Sequence, residues 1–243
     1  MKDKSIENAV TFYDLKWDTD FFGVNCAKAI LHKPLMLVDW KELRERFKVY
    51  QFISIENRNS EPINAQMIGK ESSAFLADVN IQFKKQLVGP YHRTENIQIH
   101  QALKRNERII EMTVFQFSKF TEDPELVNRG GNQVYRQWLI NSFEKTDKYY
   151  ALYENANGEI DGFLLHSYSD NSCIVELIAV SQNTANGGIG TRLFRAVEYA
   201  AHLRGCNEIR VGTQVRNIGA INFYQKVGCK QVECHQIYHI WNL

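Results

Sequence analysis

The sequence has almost no net charge: 29 lysines and arginines against 28 aspartates and glutamates leave +1 over 243 residues. It has no basic tract either, so it lacks the electrostatic footprint of a nucleic-acid binder. No apolar run approaches the length of a membrane span, and the opening MKDKSIENAV lacks the apolar centre of a secretion signal. The five cysteines (Cys26, Cys173, Cys206, Cys229, Cys234) are odd in number. Cys229 and Cys234 have no second pair at zinc-ligand spacing, so reduced thiols and no metal site are expected. These absences point to a cytoplasmic globular protein. What is plentiful is core material: 44% hydrophobic and 12% aromatic residues, enough for one large domain or two small ones.

The first half reads as mixed α/β. After Trp17, Phe21 and Phe22, a strand is expected around 24–31. Trp40, Leu43 and Phe47 recur at helical spacing in VDWKELRERFKVY, with Asp39 as the expected N-cap. QFISI reads as a strand, Pro62 opens a helix to about Gly69, and SAFLADVNIQF alternates as a strand. The polar stretch HRTENIQIHQALKRNERI reads as a linker, which places a boundary near residue 105.

In the second half, VYRQWLINSF carries Val134, Trp138, Leu139 and Phe143 on one helical face. YYALYE, EIDGFLLHSY and SCIVELIAV are three strands, the first two joined across the turn signal NANG. Ile189, Leu193, Val197 and Ala200 then form a helical stripe ending at Gly205. NEIRVGTQV is a strand, NIGAINFYQKV a helix closed by Gly228, and QVECHQIYHIW a final strand. An internal echo links QFISI, PINAQMIGK and SAFLADVNIQF to this last strand, helix and strand, with Ile-Asn early in both helices. Duplication and coincidence both stand as explanations.

The densest signal is ANGGIGTRLF, residues 185–194, with three glycines in four positions before an amphipathic helix. No Gly-Lys-Ser/Thr follows, so it is not a P-loop. Leu193 stands where a dinucleotide fingerprint needs its last glycine. What remains is strand, glycine loop and helix start, whose unpaired amides favour an anion. By itself this pattern reads by default as an ordinary turn.

The residues downstream change that balance. VELIAV precedes the loop; after it come Gly188 and Gly190, then Asn217, Ala220, Phe223 and Tyr224. This resembles the Gcn5-related N-acetyltransferase (GNAT) family over about residues 108–243. The family's Arg/Gln before the two glycines is replaced here by Ala185, which removes one side-chain contact. LKWDTDFFGVN, YRQWL and EIDGF extend the resemblance, over nearly the whole chain, to family members that acetylate nucleotide-linked amino sugars.

The resemblance implies a GNAT fold, with a mixed, largely antiparallel sheet flanked by helices. It implies a truncated, GNAT-like N-terminal domain (1–105) supporting a catalytic domain (106–243). It implies acetyl-CoA as cosubstrate, held along Ile178, Ala179 and Val180, over Gly187, Gly188, Ile189, Gly190 and Thr191, and against Asn217, Ala220, Phe223 and Tyr224. The acceptor would be a small-molecule amine, the 4-amino group of a sugar such as TDP-4-amino-4,6-dideoxygalactose, attacking the thioester directly.

Tyr224 is the implied general acid toward the departing thiolate; an ordinary core tyrosine is its structural alternative. Glu176 is the first candidate base, in alternation phase with Ile178 and Val180, and Asp78 the second. Phe21 and Phe22 are candidate walls of the sugar pocket, with plain core packing as the default for both. Asn217 is expected to cap its helix. Another amine acceptor (a protein N-terminus, polyamine or drug) and a non-catalytic CoA sensor remain alternatives. A homodimer is left open, and neither nucleic acid nor membrane is expected as a partner.

Overall fold

The computed structural model describes residues 9–182 and 187–242. The first half contributes strands β1 (Val10–Asp14), β2 (Cys26–Leu31), β3 (Phe52–Asn57) and β4 (Phe75–Gln86), with helices α1 (Lys16–Phe22), α2 (Leu37–Phe47) and α3 (Pro62–Glu71). Then follow β5 (Ile97–Gln101) and three short helices, α4 (Glu107–Glu111), α5 (Pro124–Asn128) and α6 (Val134–Ser142). The remainder is β6 (Tyr149–Glu154), β7 (Ile160–Ser169), β8 (Ser172–Val180), α7 (Ile189–Leu203), β9 (Glu208–Gln214), α8 (Ile218–Lys226) and β10 (Lys230–Trp241).

All ten strands join in one sheet of order β1-β2-β3-β10-β4-β9-β8-β7-β6-β5. Only β2/β3 and β8/β9 run parallel; the other pairings are antiparallel. The mixed, largely antiparallel α/β architecture expected from the sequence is therefore present. Strand β4 lies between β10 and β9, and β10 lies between β3 and β4, so the halves exchange strands at the centre of the sheet.

Local chemistry explains most elements. Ile189, Leu193 and Val197 of α7 are buried against Ile209, Val211 and Cys173, the period-3.6 stripe of an amphipathic helix. Gly162 on β7 leaves room for this docking, since a Cβ there would lie 2.9 Å from Ile189 Cγ2. On the other half, Trp40, Leu43 and Phe47 of α2 pack with Ile53, Ile55 and Ile68.

Three expectations are corrected. Met36 is the N-cap of α2, and Asp39 is the third helical residue, its carboxylate accepting from the Met36 amide at 3.0 Å. The presumed linker contains β5, an edge strand paired with β6. Trp138 turns away from the buried Val134 and Leu139, with 40% of its surface exposed. The five cysteines are free, as expected.

The internal echo is topological. Apart from α1, inserted between β1 and β2, β1-β2-α2-β3-α3-β4 has the same order and strand senses as β7-β8-α7-β9-α8-β10. The shared Ile-Asn dipeptide is out of step, however. Counted from the N-caps Glu61 and Asn217, Asn64 matches Ala220 and Ile68 matches Tyr224.

Candidate active site

The two parallel pairs of the sheet differ in one respect that shapes the site. β2 and β3 are paired along their whole length, from Cys26/Phe52 to Leu31/Asn57. The β8/β9 ladder begins at Ser172/Glu208 and stops at Val175/Val211. Beyond it the strands part, leaving a cavity of about 280 Å³ lined by Glu176, Leu177, Ile178, Gly212, Thr213 and Gln214, with Asn217, Ala220 and Tyr224 along α8. Backbone along the parted edge of β8 is available to a ligand that adds as a strand.

Helix α7 points its start at the same region. Gly188 is its N-cap, with φ +76°, a conformation natural to glycine. The first helical hydrogen bond is Arg192 N to Gly188 O, 3.1 Å, so the amides of Ile189, Gly190 and Thr191 have no acceptor within the helix. Gly190 has a packing reason of its own: a Cβ there would come within 3.3 Å of Phe223 Cε2. Gly187 is exposed beside Gly188. Ala185 lies outside the described residues. Free amides, an αL glycine and an open strand edge fit the diphosphate and pantetheine of a CoA thioester.

Asn217 Oδ1 accepts from the Ala220 amide at 3.1 Å, capping α8 as expected while lining the cavity. Tyr224 is buried against Phe83 and Phe223, with ring centroids at 5.7 and 5.3 Å. Burial raises its pKa, with the Cys229 thiol beside it adding to the effect, so the phenol stays protonated. That is the state a proton donor needs.

Glu176 is not where simple alternation puts it. Leu165 pairs with Leu177 and His166 with Val175, so Glu176 is the extra residue of a β-bulge. Lys148 Nζ donates to its Oε1 at 2.6 Å, while Oε2 is buried without a hydrogen-bond partner. The carboxylate is thus already matched by a cation, a partner that lies 28 residues away and leaves no local signal.

A second cavity of about 530 Å³ adjoins the first through the shared Tyr135 and Gln214, whose side chains meet at 3.4 Å. Asp78 lines it, together with Lys28, Glu56, Arg58, Lys119 and Trp138. Burial raises the Asp78 carboxyl to about 6, despite partial relief from the Val79 amide and Lys119. Phe22 belongs instead to a core cluster with Val24, Phe52 and Leu126, and Phe21 stacks on Trp17 at 4.9 Å. Neither lines the two cavities. Two histidines play other parts: His166 and His239 are buried, and His239 Nδ1 meets Asp123 Oδ2 at 2.7 Å, which also accepts from Trp241 Nε1 at 3.0 Å. His235 lines the second cavity, its Nε2 3.1 Å from Glu233 Oε2.

Residues 107–229, just over half the chain, match the Acetyltransferase (GNAT) family. The chain belongs to that family. It is 26% identical over 127 residues to the spore coat polysaccharide biosynthesis protein SpsD of Bacillus subtilis (strain 168), a match covering 52% of this chain and 44% of that protein. It is 31% identical over 126 residues to the uncharacterized protein YdhI of the same organism, covering 52% of this chain and 71% of that one.

Solved GNAT structures share the fold. The GCN5-related N-acetyltransferase from Sphaerobacter thermophilus superposes with a TM-score of 0.63 at 14% identity, covering 96% of this chain and 76% of that one. A tandem GNAT protein from the clavulanic acid biosynthesis pathway gives 0.56 at 11% identity, covering 90% and 78%. No helix among the described residues is long and apolar enough to cross a membrane.

Proposed function

We propose that this GNAT protein is an acetyl-CoA-dependent N-acetyltransferase whose acceptor is the amino group of a nucleotide-linked amino-deoxy sugar, such as TDP-4-amino-4,6-dideoxygalactose. The observation that carries the reading is the parted β8/β9 pair, which has free helix amides at one end and opens into a charged cavity at the other. The sugar-nucleotide class is supported by the resemblance of VGTQVRNIGAINFYQKVGCKQVECHQIYHIW to TDP-fucosamine acetyltransferase, and by the polysaccharide role in the name of SpsD.

In this reading the amides of Ile189, Gly190 and Thr191 hold the CoA diphosphate, and backbone along Ile178–Val180 orients the acyl arm. A β8 amide stabilises negative charge developing on the thioester oxygen. Asp78 takes the proton from the attacking amine, since its raised pKa lies nearer neutrality and no cation holds its carboxylate in an ion pair. Tyr224 returns a proton to the thiolate. Both halves serve one site, because Asp78 comes from β4 and Tyr224 from α8.

The test is release of free thiol from acetyl-CoA by the purified chain with a panel of nucleotide-linked amino sugars, polyamines, aminoglycosides and peptide N-termini. Turnover confined to the sugar nucleotides is expected. Turnover of another class alone would replace the acceptor assignment. CoA binding without any turnover would make the protein a sensor.

A further inference from the structure

Among the described residues, the part-buried lysines of the molecule are matched by carboxylates, with one exception. Lys28 meets Glu56 at 2.7 Å, Lys148 meets Glu176 at 2.6 Å, and Lys85 meets Glu198. Lys119 lies on the loop between α4 and α5 and makes no ion pair and no hydrogen bond among the described residues. Its contact is the face of Phe120, with Nζ 4.9 Å from the ring centroid. It projects into the polar cavity of about 530 Å³ that also holds Asp78. A part-buried ammonium without a counter-charge is unfavourable unless something else supplies one.

The surrounding charges give Lys119 no direct partner. Lys28 and Arg58 share one carboxylate, Glu56, at 2.7 and 3.2 Å. Lys28 and Arg58 are thus held by one anion, while Lys119 has no direct partner among the described residues, although Asp78 and the Glu233 paired with His235 line the same cavity. Burial, reinforced by the neighbouring Lys28 ammonium, lowers the Lys119 pKa to about 8. Asp18, Glu56 and Asp78 act on it from a distance. At the same cavity Trp138 offers an exposed indole, stacked on Tyr135 with centroids 6.0 Å apart. A flat aromatic platform beside excess positive charge suits a ring carried on an anion.

We infer that Lys119, seconded by Lys28 and Arg58, receives a phosphoryl group of the acceptor and thereby selects phosphate-bearing amino sugars over free ones. This rests on the acetyltransferase reading for the acceptor's amine but not for the anion. The placement is consistent with a compact acceptor. Asp78, which would face the amine, and Lys119, which would face the phosphoryl group, line the same cavity, so one acceptor can meet both.

The test has two arms on the full-length protein. Binding of thymidine diphosphate and of inorganic pyrophosphate is measured by calorimetry with coenzyme A in excess, so that the CoA diphosphate site is filled. Lys119→Met is expected to weaken thymidine diphosphate at least about tenfold, the scale of a lost charge-assisted hydrogen bond, and Lys119→Arg to restore most of it. CoA affinity should not change. In the kinetic arm, Lys119→Met should raise KM for a nucleotide-linked amino sugar by a similar factor and cost the unphosphorylated amino sugar several-fold less in kcat/KM, since that reaction feels Lys119 only through Asp78.

Wild-type affinity for thymidine diphosphate in folded Lys119→Met would overturn the assignment, even if acetyl transfer proceeds. So would equal losses on phosphorylated and free sugars. Absence of turnover on the whole panel would sink the acetyltransferase reading alone, because the binding arm still reads Lys119. A Lys119 that serves only the fold would lower the melting temperature on replacement and leave nucleotide binding of the folded protein intact, also overturning it.

Discussion

Tyr224 on α8 and Ile68 on α3 occupy the same station of two equivalent helices, each seven residues beyond its N-cap. Tyr224 lines a cavity between parted strands. The other side chain is fully buried beneath a ladder that never opens. In the first half, moreover, Asn64 fills the space before α2: its Oδ1 accepts from the Leu35 amide at 2.9 Å and its amide donates to Lys33 O at 3.0 Å. That loop's polar groups are satisfied from within the protein.

One CoA per chain follows. Calorimetric titration with acetyl-CoA should give a stoichiometry near one. A second, independent site of comparable affinity would mean that the β2/β3 pair opens, contrary to its continuous register.

Tyr224→Phe removes only the hydroxyl. If the phenol protonates the thiolate, kcat should fall by about 10²-fold, toward the lower end for general acid catalysis. The affinity for acetyl-CoA should change little, because the interaction exists mainly in the transition state. A variant with wild-type kcat would leave Tyr224 as a packing residue.

If Asp78 is the base, a pH dependence follows. As a base it must be ionised, so kcat/KM should fall as pH drops through about 6. In Asp78→Asn that acidic limb should vanish with most of the activity. Stability should move the other way. The folded carboxyl titrates above its ordinary 3.8, so its ionised form opposes folding, in full above about pH 6 and not at all well below pH 4. The variant should therefore melt higher than wild type at pH 7.5 and equally at pH 3.5.

Glu176→Gln should behave as a stability mutation. It leaves Lys148, 17% exposed, facing a neutral amide in place of a carboxylate 8% exposed. Loss of one member of a buried pair costs about 3 kcal/mol or more. The double variant Lys148→Met/Glu176→Leu should recover much of this. The folded fraction of Glu176→Gln should keep the acidic limb of wild type; losing it would transfer the role of base from Asp78 to Glu176.

The parts of the molecule legible in the sequence are those with local causes. Asn217 announces its helix because its cap partner lies three residues on, and Ile189, Leu193 and Val197 announce α7 by their spacing. β5 escaped because IQIHQ is short and polar on alternate positions; only β6 beside it makes it a strand. The bulge at Glu176 is set by pairing with β7, so phase counting along β8 could not find it. Lys119 and Lys148 carry no motif. Their significance depends on which carboxylates the fold brings near them, and the sequence does not reveal that.

The exchange of β4 and β10 also orders events in time. β3 and β4 leave the ribosome early, yet one strand's width separates them, and the strand that fills the gap is the last of the ten to be made. Until residues 230–241 arrive, β3 and β4 each present an unpaired edge, the kind of surface on which chains adhere to one another. β9 finds its parallel partner β8 close by in the chain, but its other neighbour, β4, was made more than a hundred residues before. The residues assigned to the site are all made before β10, but the sheet that carries them closes only when that strand arrives. Chaperone demand should be concentrated in the interval before that final strand is translated.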